Sequence, residues 1–296
     1  MYVYLNGKIL PAREAAVSVF DHGFLYGDGI YETLRVYDGV IFRMDEHIQR
    51  LYRSASLIGL TLPMDADRLK IALYETLIAN KLRNAYVRLT VSRGPGSIGL
   101  DPDLCSEPTV VIIAQDMKPY PRAYYDQGID LIIAATRRNL KEAISPRIKS
   151  LNFLNNILAK IEAKKQDAYE AIMLNADGHL TEGTISNLFF CVDETICTPS
   201  LDCGILDGIT RGIVIDLALR EGIAVREGLF TKEDLYHARE VFITNTSMEV
   251  IPVSKIDDRI YPVGETAKFL RKLYRREVEA YVAVVKSEGP SLWGQD

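Results

Sequence analysis

Five stretches, far apart in the chain, carry side chains that suit one chemistry. Lys149 lies in Pro146-Arg147-Ile148-Lys149-Ser150-Leu151-Asn152, where the proline keeps the approach extended. Taken alone, a lysine beside an apolar helix face is a snorkelling surface residue. The sharper reading is a partly desolvated amine able to form a Schiff base. Arg50, within Glu46-His47-Ile48-Gln49-Arg50, reads alone as a solvated arginine or an ion-pair partner. Gly208-Ile209-Thr210 opens a helix and offers backbone N–H groups and a hydroxyl to an anion, although an ordinary threonine cap explains it equally well. Thr246-Ser247, after an apolar strand, forms a second anion-binding turn. Glu182, in Thr181-Glu182-Gly183-Thr184, can hold a protonated heteroaromatic nitrogen. An amine, a phosphate cup and an acid are what a protein must bring to pyridoxal phosphate.

The elements that place these residues follow from spacing. Apolar Leu151, Leu154, Ile157, Leu158 and Ile161 predict a buried helical face over Phe153 to Lys164, with Lys149 between it and a strand at Asp130 to Thr136. Residues 2 to 5 and 8 to 11 flank Asn6-Gly7 as a hairpin. Ile30 to Tyr37 alternates as a strand with Tyr31, Thr33 and Arg35 on one face. A strand over residues 84 to 93 puts Tyr86, Arg88 and Thr90 on one face and Val87, Leu89 and Val91 on the other. Helices are predicted over Asp45 to Leu60, with Asp45 as cap, and over 65 to 82, Gly212 to Glu221 and Glu265 to Val285. Ser287 to Asp296 reads as a frayed tail. Prolines 119 and 121 break the periodicity, so the expected organisation is a domain over 1–118, a linker over 119–128 and a larger domain over 129–296.

Composition narrows the class. With 48% hydrophobic and 25% charged residues the chain has a globular rather than a disordered balance. A net charge of -5 leaves no electrostatic footprint for nucleic acid. Four cysteines without a CxxC pair and four scattered histidines predict no metal site and reduced thiols. Met1-Tyr2-Val3-Tyr4 runs into a turn rather than a signal peptide, and no apolar run approaches membrane-spanning length. The expectation is a soluble cytoplasmic protein.

The order Gly27-Asp28-Gly29, Arg50-Leu51, Lys149-Ser150-Leu151-Asn152, Thr181-Glu182-Gly183-Thr184-Ile185-Ser186-Asn187, Gly208-Ile209-Thr210-Arg211 and Thr244-Asn245-Thr246-Ser247 resembles the class IV aminotransferases, the fold-type IV pyridoxal phosphate enzymes. These include branched-chain aminotransferases, D-amino-acid aminotransferases and aminodeoxychorismate lyases. The resemblance covers roughly residues 2 to 275. It implies an α+β, two-domain fold: a small N-terminal α/β domain, a larger C-terminal domain with a barrel-like β core, and a cofactor between them. It implies at least a homodimer. By that resemblance Lys149 is the Schiff-base lysine and the base of the 1,3-proton transfer, and Glu182 pairs the pyridine nitrogen. Arg50, Gly208, Ile209, Thr210 and Thr246 hold the phosphate, and the N–H groups of Thr246 and Ser247 face the substrate carboxylate.

Within the family, Tyr86-Val87-Arg88 followed by Gly99-Leu100-Asp101-Pro102 is most similar to the branched-chain enzymes, where such an arginine and tyrosine receive the side-chain carboxylate of glutamate. Tyr31 and Arg35 match the same subfamily, so Tyr31, Thr33, Arg35, Tyr86 and Arg88 are its implied substrate-binding residues. Two positions depart from the pattern. Thr33 replaces a usual glycine, and Phe153 replaces a tyrosine that usually bonds the cofactor hydroxyl. A threonine at position 33 also occurs in the lyases, and Tyr31 is shared with the D-amino-acid enzymes. The expected activity is transfer of the amino group of branched-chain and other hydrophobic L-amino acids to 2-oxoglutarate.

Overall fold

The computed structural model describes residues 1–288; the tail expected over Ser287 to Asp296 lies outside the described residues from 289 onward. The chain forms two compact units. One comprises Met1–Lys118, Ile148–Asn152 and Val278–Asp296, the other Pro119–Arg147 and Phe153–Glu277. The stretch around Lys149 and residues 278–288 group with the first unit. For the lysine segment the reason is hydrogen bonding to a first-unit strand, described below.

The first unit contains β1 (Tyr2–Leu5), β2 (Lys8–Pro11), α1 (His22–Tyr26), β3 (Gly29–Tyr37), β4 (Val40–Ile41), α2 (Met44–Leu57), α3 (Ala66–Asn80), β5 (Ala85–Ser92) and β6 (Thr109–Asp116). Asn6 and Gly7 take φ of 46° and 86°, the left-handed pair that a two-residue hairpin needs. The strands lie in the order β2-β1-β6-β5-β3-β4, and every neighbouring pair is antiparallel. Alternation sorts the two faces. Ile30, Leu34 and Val36 of β3 and Val87, Leu89 and Val91 of β5 are buried in one core with Ile48 and Leu51 of α2 and Leu69 and Leu73 of α3. The opposite face carries Tyr31, Thr33 and Arg35 against Thr90, Arg88 and Tyr86 in register. The start of α2 differs from expectation. Its cap is Arg43 in the left-handed region (φ 51°), and Asp45 lies in the first turn, where its charge favours the helix N-terminus.

The second unit contains α4 (Arg122–Asp126), β7 (Ile129–Ile133), α5 (Leu154–Lys165), β8 (Glu170–Leu174), β9 (Leu180–Gly183), β10 (Asn187–Val192), β11 (Thr195–Pro199), α6 (Ile209–Arg220), β12 (Val225–Gly228), α7 (Lys232–Tyr236), β13 (Glu240–Asn245), β14 (Glu249–Ile256) and β15 (Arg259–Ile260). The last helix, α8 (Glu265–Glu288), begins in this unit. The strand order is β12-β11-β10-β13-β14-β7-β8-β9, and β9 pairs back onto β10 at Glu182 and Asn187. That pairing closes β10-β13-β14-β7-β8-β9 into a barrel filled by Leu131, Ile172, Leu188, Phe190, Ile243 and Ile251. It also sets Glu182 beside Asn187 where the barrel shuts.

Helix α5 turns the other way from its sequence pattern. Leu154 is 69% exposed, and Ile157, Leu158 and Ile161 are between 44% and 49% exposed. The buried residues are Asn156, Ala159 and Ala163. The two alanines pack with Ile132, Ala134, Ala171 and Met173. Small residues let the helix backbone come close to the sheet, which leaves the larger aliphatics outside. Among the described residues no helix is long and apolar enough to cross a membrane.

Candidate active site

In the first unit the segment around Lys149 runs beside the start of β3. Tyr31 N donates to Lys149 O at 2.9 Å, Leu151 N to Gly29 O at 2.9 Å, and Ile30 and Ser150 form an antiparallel bridge. Lys149 N donates to Ser54 Oγ on α2 at 3.2 Å. The lysine backbone is thereby held by a strand and a helix, and its Nζ lies 4.7 Å from the centroid of the Tyr31 ring. Arg88 approaches the same ring, its guanidinium carbon 4.0 Å from the centroid. Burial raises the Tyr31 phenol well above its ordinary range, so it stays a neutral hydroxyl. Thr33, half-buried, stands opposite Arg88, and Tyr86 follows on the same face. Arg35 shares the face. Its Nη1 donates to Val36 O and Ala85 O, each at 3.2 Å, and its guanidinium carbon lies 4.6 Å from the Tyr37 ring centroid.

Arg50 is buried rather than solvated. Its Nε and Nη2 donate to Glu32 Oε1 and Oε2 at 2.7 and 2.8 Å, and His47 Nδ1 lies 2.8 Å from the same Oε2. Burial alone would raise the Glu32 pKa. The charge and hydrogen bonds of Arg50, with the hydrogen bond from His47, outweigh it and hold the carboxyl well below the usual carboxylate range. Burial pushes His47 below its ordinary value despite that contact, so a neutral imidazole donates from Nδ1. Sequence reading passed over Glu32 and His47. The available signal was an acid at a core position of an alternating strand, Ile30-x-Glu32-x-Leu34-x-Val36.

In the second unit Glu182 is buried at the end of β9. Its Oε1 accepts from Arg138 Nε at 2.9 Å, and its Oε2 accepts from Leu206 N at 2.9 Å and from Asn187 Nδ2 at 3.4 Å. Arg138, also unforeseen, is almost as buried as its partner. Gly208 precedes α6 without a side-chain cap, so the first-turn N–H groups have no capping side chain. A Cβ on Gly208 would lie 1.9 Å from Asn187 Oδ1, so any larger residue there requires the Asn187 amide to move. Ile209 and the buried Thr210 follow in the first turn of this helix. Thr246 and Ser247 form the tight turn from β13 to β14. Ser247 departs from expectation: its N–H and hydroxyl lie 3.0 and 3.2 Å from Asn245 Oδ1, which also accepts from Met248 N at 2.8 Å. Its N–H is thus committed within the turn. The Thr244 hydroxyl is buried with no hydrogen-bond partner among the described residues.

These features suit a phosphorylated heteroaromatic cofactor. An uncapped helix start fits an anion. A glutamate anchored by an arginine and a backbone N–H fits a fixed partner for a ring nitrogen.

The sequence matches Amino-transferase class IV over residues 29–256. The chain belongs to the class IV aminotransferases. It is 45% identical over 278 residues to a Methanocaldococcus jannaschii protein provisionally named a branched-chain-amino-acid aminotransferase, covering 93% of this chain and 96% of that one. It is 36% identical to the aminodeoxychorismate lyase of Bacillus subtilis, covering 98% of each. The fold is shared with the branched-chain aminotransferase of Thermoproteus uzoniensis, solved with norvaline, at a TM-score of 0.88 and 34% identity over 93% of this chain and 94% of that one. Class IV aminotransferases are pyridoxal phosphate enzymes, and the two-unit fold with its barrel is that of the family.

Proposed function

We propose that this aminotransferase uses pyridoxal phosphate to move the amino group of branched-chain and other hydrophobic L-amino acids to 2-oxoglutarate, in two half-reactions. The bound cofactor supplies the electron sink for the pair left at the substrate α-carbon when its proton departs. Lys149 Nζ takes that proton and returns it, a task suited to an amine whose backbone is held by Tyr31 and Ser54. Arg50, Gly208, Ile209, Thr210 and Thr246 hold the phosphate, and Glu182 pairs the ring nitrogen. Tyr31, Thr33, Arg35, Tyr86 and Arg88 receive the substrate side chain.

The observation that carries the substrate assignment is the seat of Arg88 on the Tyr31 ring, 4.0 Å from its centroid. A mostly apolar pocket that must also take a carboxylate needs a cation that rests on an aromatic face between such substrates. The exposed aliphatics of α5, with Phe24, Ile98 and Leu100 at 73%, 76% and 85% exposure, support a homodimer or a higher homo-oligomer that covers them. Four unpaired cysteines support a reducing, cytoplasmic setting.

The test is a panel of L- and D-amino acids with 2-oxoglutarate as acceptor. Leucine, isoleucine and valine in the L form should be the best donors, with glutamate as product. Preference for D-alanine would make the chain a D-amino-acid enzyme. Turnover of aminodeoxychorismate without consumption of a 2-oxo acid would make it a lyase.

A further inference from the structure

Glu32, Arg50 and His47 form one buried hydrogen-bonded cluster in the first unit. Glu32 lies on the core face of β3, where its neighbours are Ile30, Leu34 and Val36, and it is 1% exposed. Replacing a buried ion pair by apolar residues of similar volume is often neutral or stabilising, so packing does not call for this pair. The pair instead fixes a direction. Glu32 engages Arg50 along one edge of the guanidinium, through Nε and Nη2 at 2.7 and 2.8 Å. The guanidinium is planar, so its other edge, Nη1 with the second Nη2 proton, must point away from the carboxylate. His47 Nδ1, 2.8 Å from Glu32 Oε2, holds the carboxylate in turn, and His47 and Arg50 lie one turn apart on α2.

We propose that Glu32 is a positioning residue that orients Arg50 toward the cofactor phosphate, with His47 holding Glu32. This rests on the pyridoxal phosphate reading above. A guanidinium tied at one edge has its rotamer set before the anion arrives, so little side-chain freedom is lost on binding. Glu32→Gln keeps the shape but sets an NH2 group against an arginine donor, and the two-point contact is lost.

The experiment compares pyridoxal 5′-phosphate with pyridoxal, which lacks the phosphate but has the same aldehyde for Lys149. Dissociation constants are measured by titration of the purified, cofactor-free full chain. Glu32→Gln should weaken pyridoxal phosphate on the order of ten- to a hundredfold and pyridoxal little. Arg50→Gln should show the same selective loss, and the double variant should be no worse than Arg50→Gln alone. Should Glu32→Gln not fold, Glu32→Asp keeps the charge with a shorter reach, and the same selective loss is read on it. Equal loss for both ligands, no loss, or additive losses would overturn the assignment of Glu32. If Arg50→Gln is selective and the Glu32 variants are not, only the present inference falls. If Arg50→Gln leaves the ratio of the two ligands unchanged, Arg50 does not hold the phosphate, and its place in the proposed function falls as well.

Discussion

The guanidinium carbon of Arg88 lies 4.0 Å from the centroid of the Tyr31 ring. A cation seated on an aromatic face has a partner when an apolar side chain lies beside it. A substrate carboxylate offers it charge-assisted hydrogen bonds of about 1.5–3 kcal/mol. Arg88→Leu should therefore slow the half-reactions of glutamate and 2-oxoglutarate by roughly ten- to a hundredfold, at 1.4 kcal/mol per decade. The half-reaction with leucine should change much less, or improve. Single-turnover absorbance of the bound cofactor with each amino acid separately provides the measurement. Equal losses would place Arg88 at the α-carboxylate or in the framework.

Lys149 is the lysine to which the proposed function gives chemistry, and its Nζ is 4.7 Å from the same ring centroid. Borohydride should fix the cofactor covalently to Lys149, as read by peptide mass mapping. Lys149→Ala should lose at least the ~10²–10⁴-fold typical of general acid–base catalysis. A label on any other lysine would remove Lys149 from its role.

Thr33 stands opposite Arg88 across the β3–β5 pair and on the Tyr31 face. Its methyl and hydroxyl narrow that face relative to the glycine usual in branched-chain enzymes. Thr33→Gly should raise kcat/KM for bulky donors such as phenylalanine relative to valine, a pocket change worth roughly 1–3 kcal/mol. The same substitution should cost about 0.5–1 kcal/mol of stability, because glycine weakens a strand interior. An unchanged donor ranking would mean that Thr33 does not line the pocket.

How far the sequence speaks depends on whether a residue's partners lie in local pattern. The hairpin at Asn6-Gly7 and the face shared by Tyr31 and Thr33 were legible because turn chemistry and period-two alternation are local. The family was legible through the order of the lysine, the acid and the helix-start turn along the chain. Glu32 was not, because its meaning comes from His47 and Arg50, on a helix beyond the next turn. Arg138 escaped for the same reason, its partner Glu182 being 44 positions away. The error at α5 is of another kind. A stripe of aliphatics shows that one helix side avoids water but not what covers it, and here alanines face the sheet.

Glu170 offers a test by pH. It is fully buried on β8, its Oε1 accepting from Ile185 N at 2.8 Å and Thr184 Oγ1 at 3.1 Å, while its Oε2 has no hydrogen-bond partner among the described residues. Burial raises its pKa above the usual 4.5, against the lowering effect of the donors around it. A carboxyl with a raised folded-state pKa stabilises the fold fully below its unfolded pKa, and that contribution is lost as pH rises through the folded value. Glu170→Gln has no such proton to lose and keeps an oxygen for Ile185 and Thr184. Its stability relative to the parent should therefore rise as pH is raised from about 5 to about 9, the interval above the ordinary carboxylate pKa. Glu170→Ala should cost about 1–3 kcal/mol for each donor left unpaired, at every pH. Urea midpoints across that range read both effects. A Gln variant that instead loses ground as pH rises would mean that the carboxylate is the form the fold prefers.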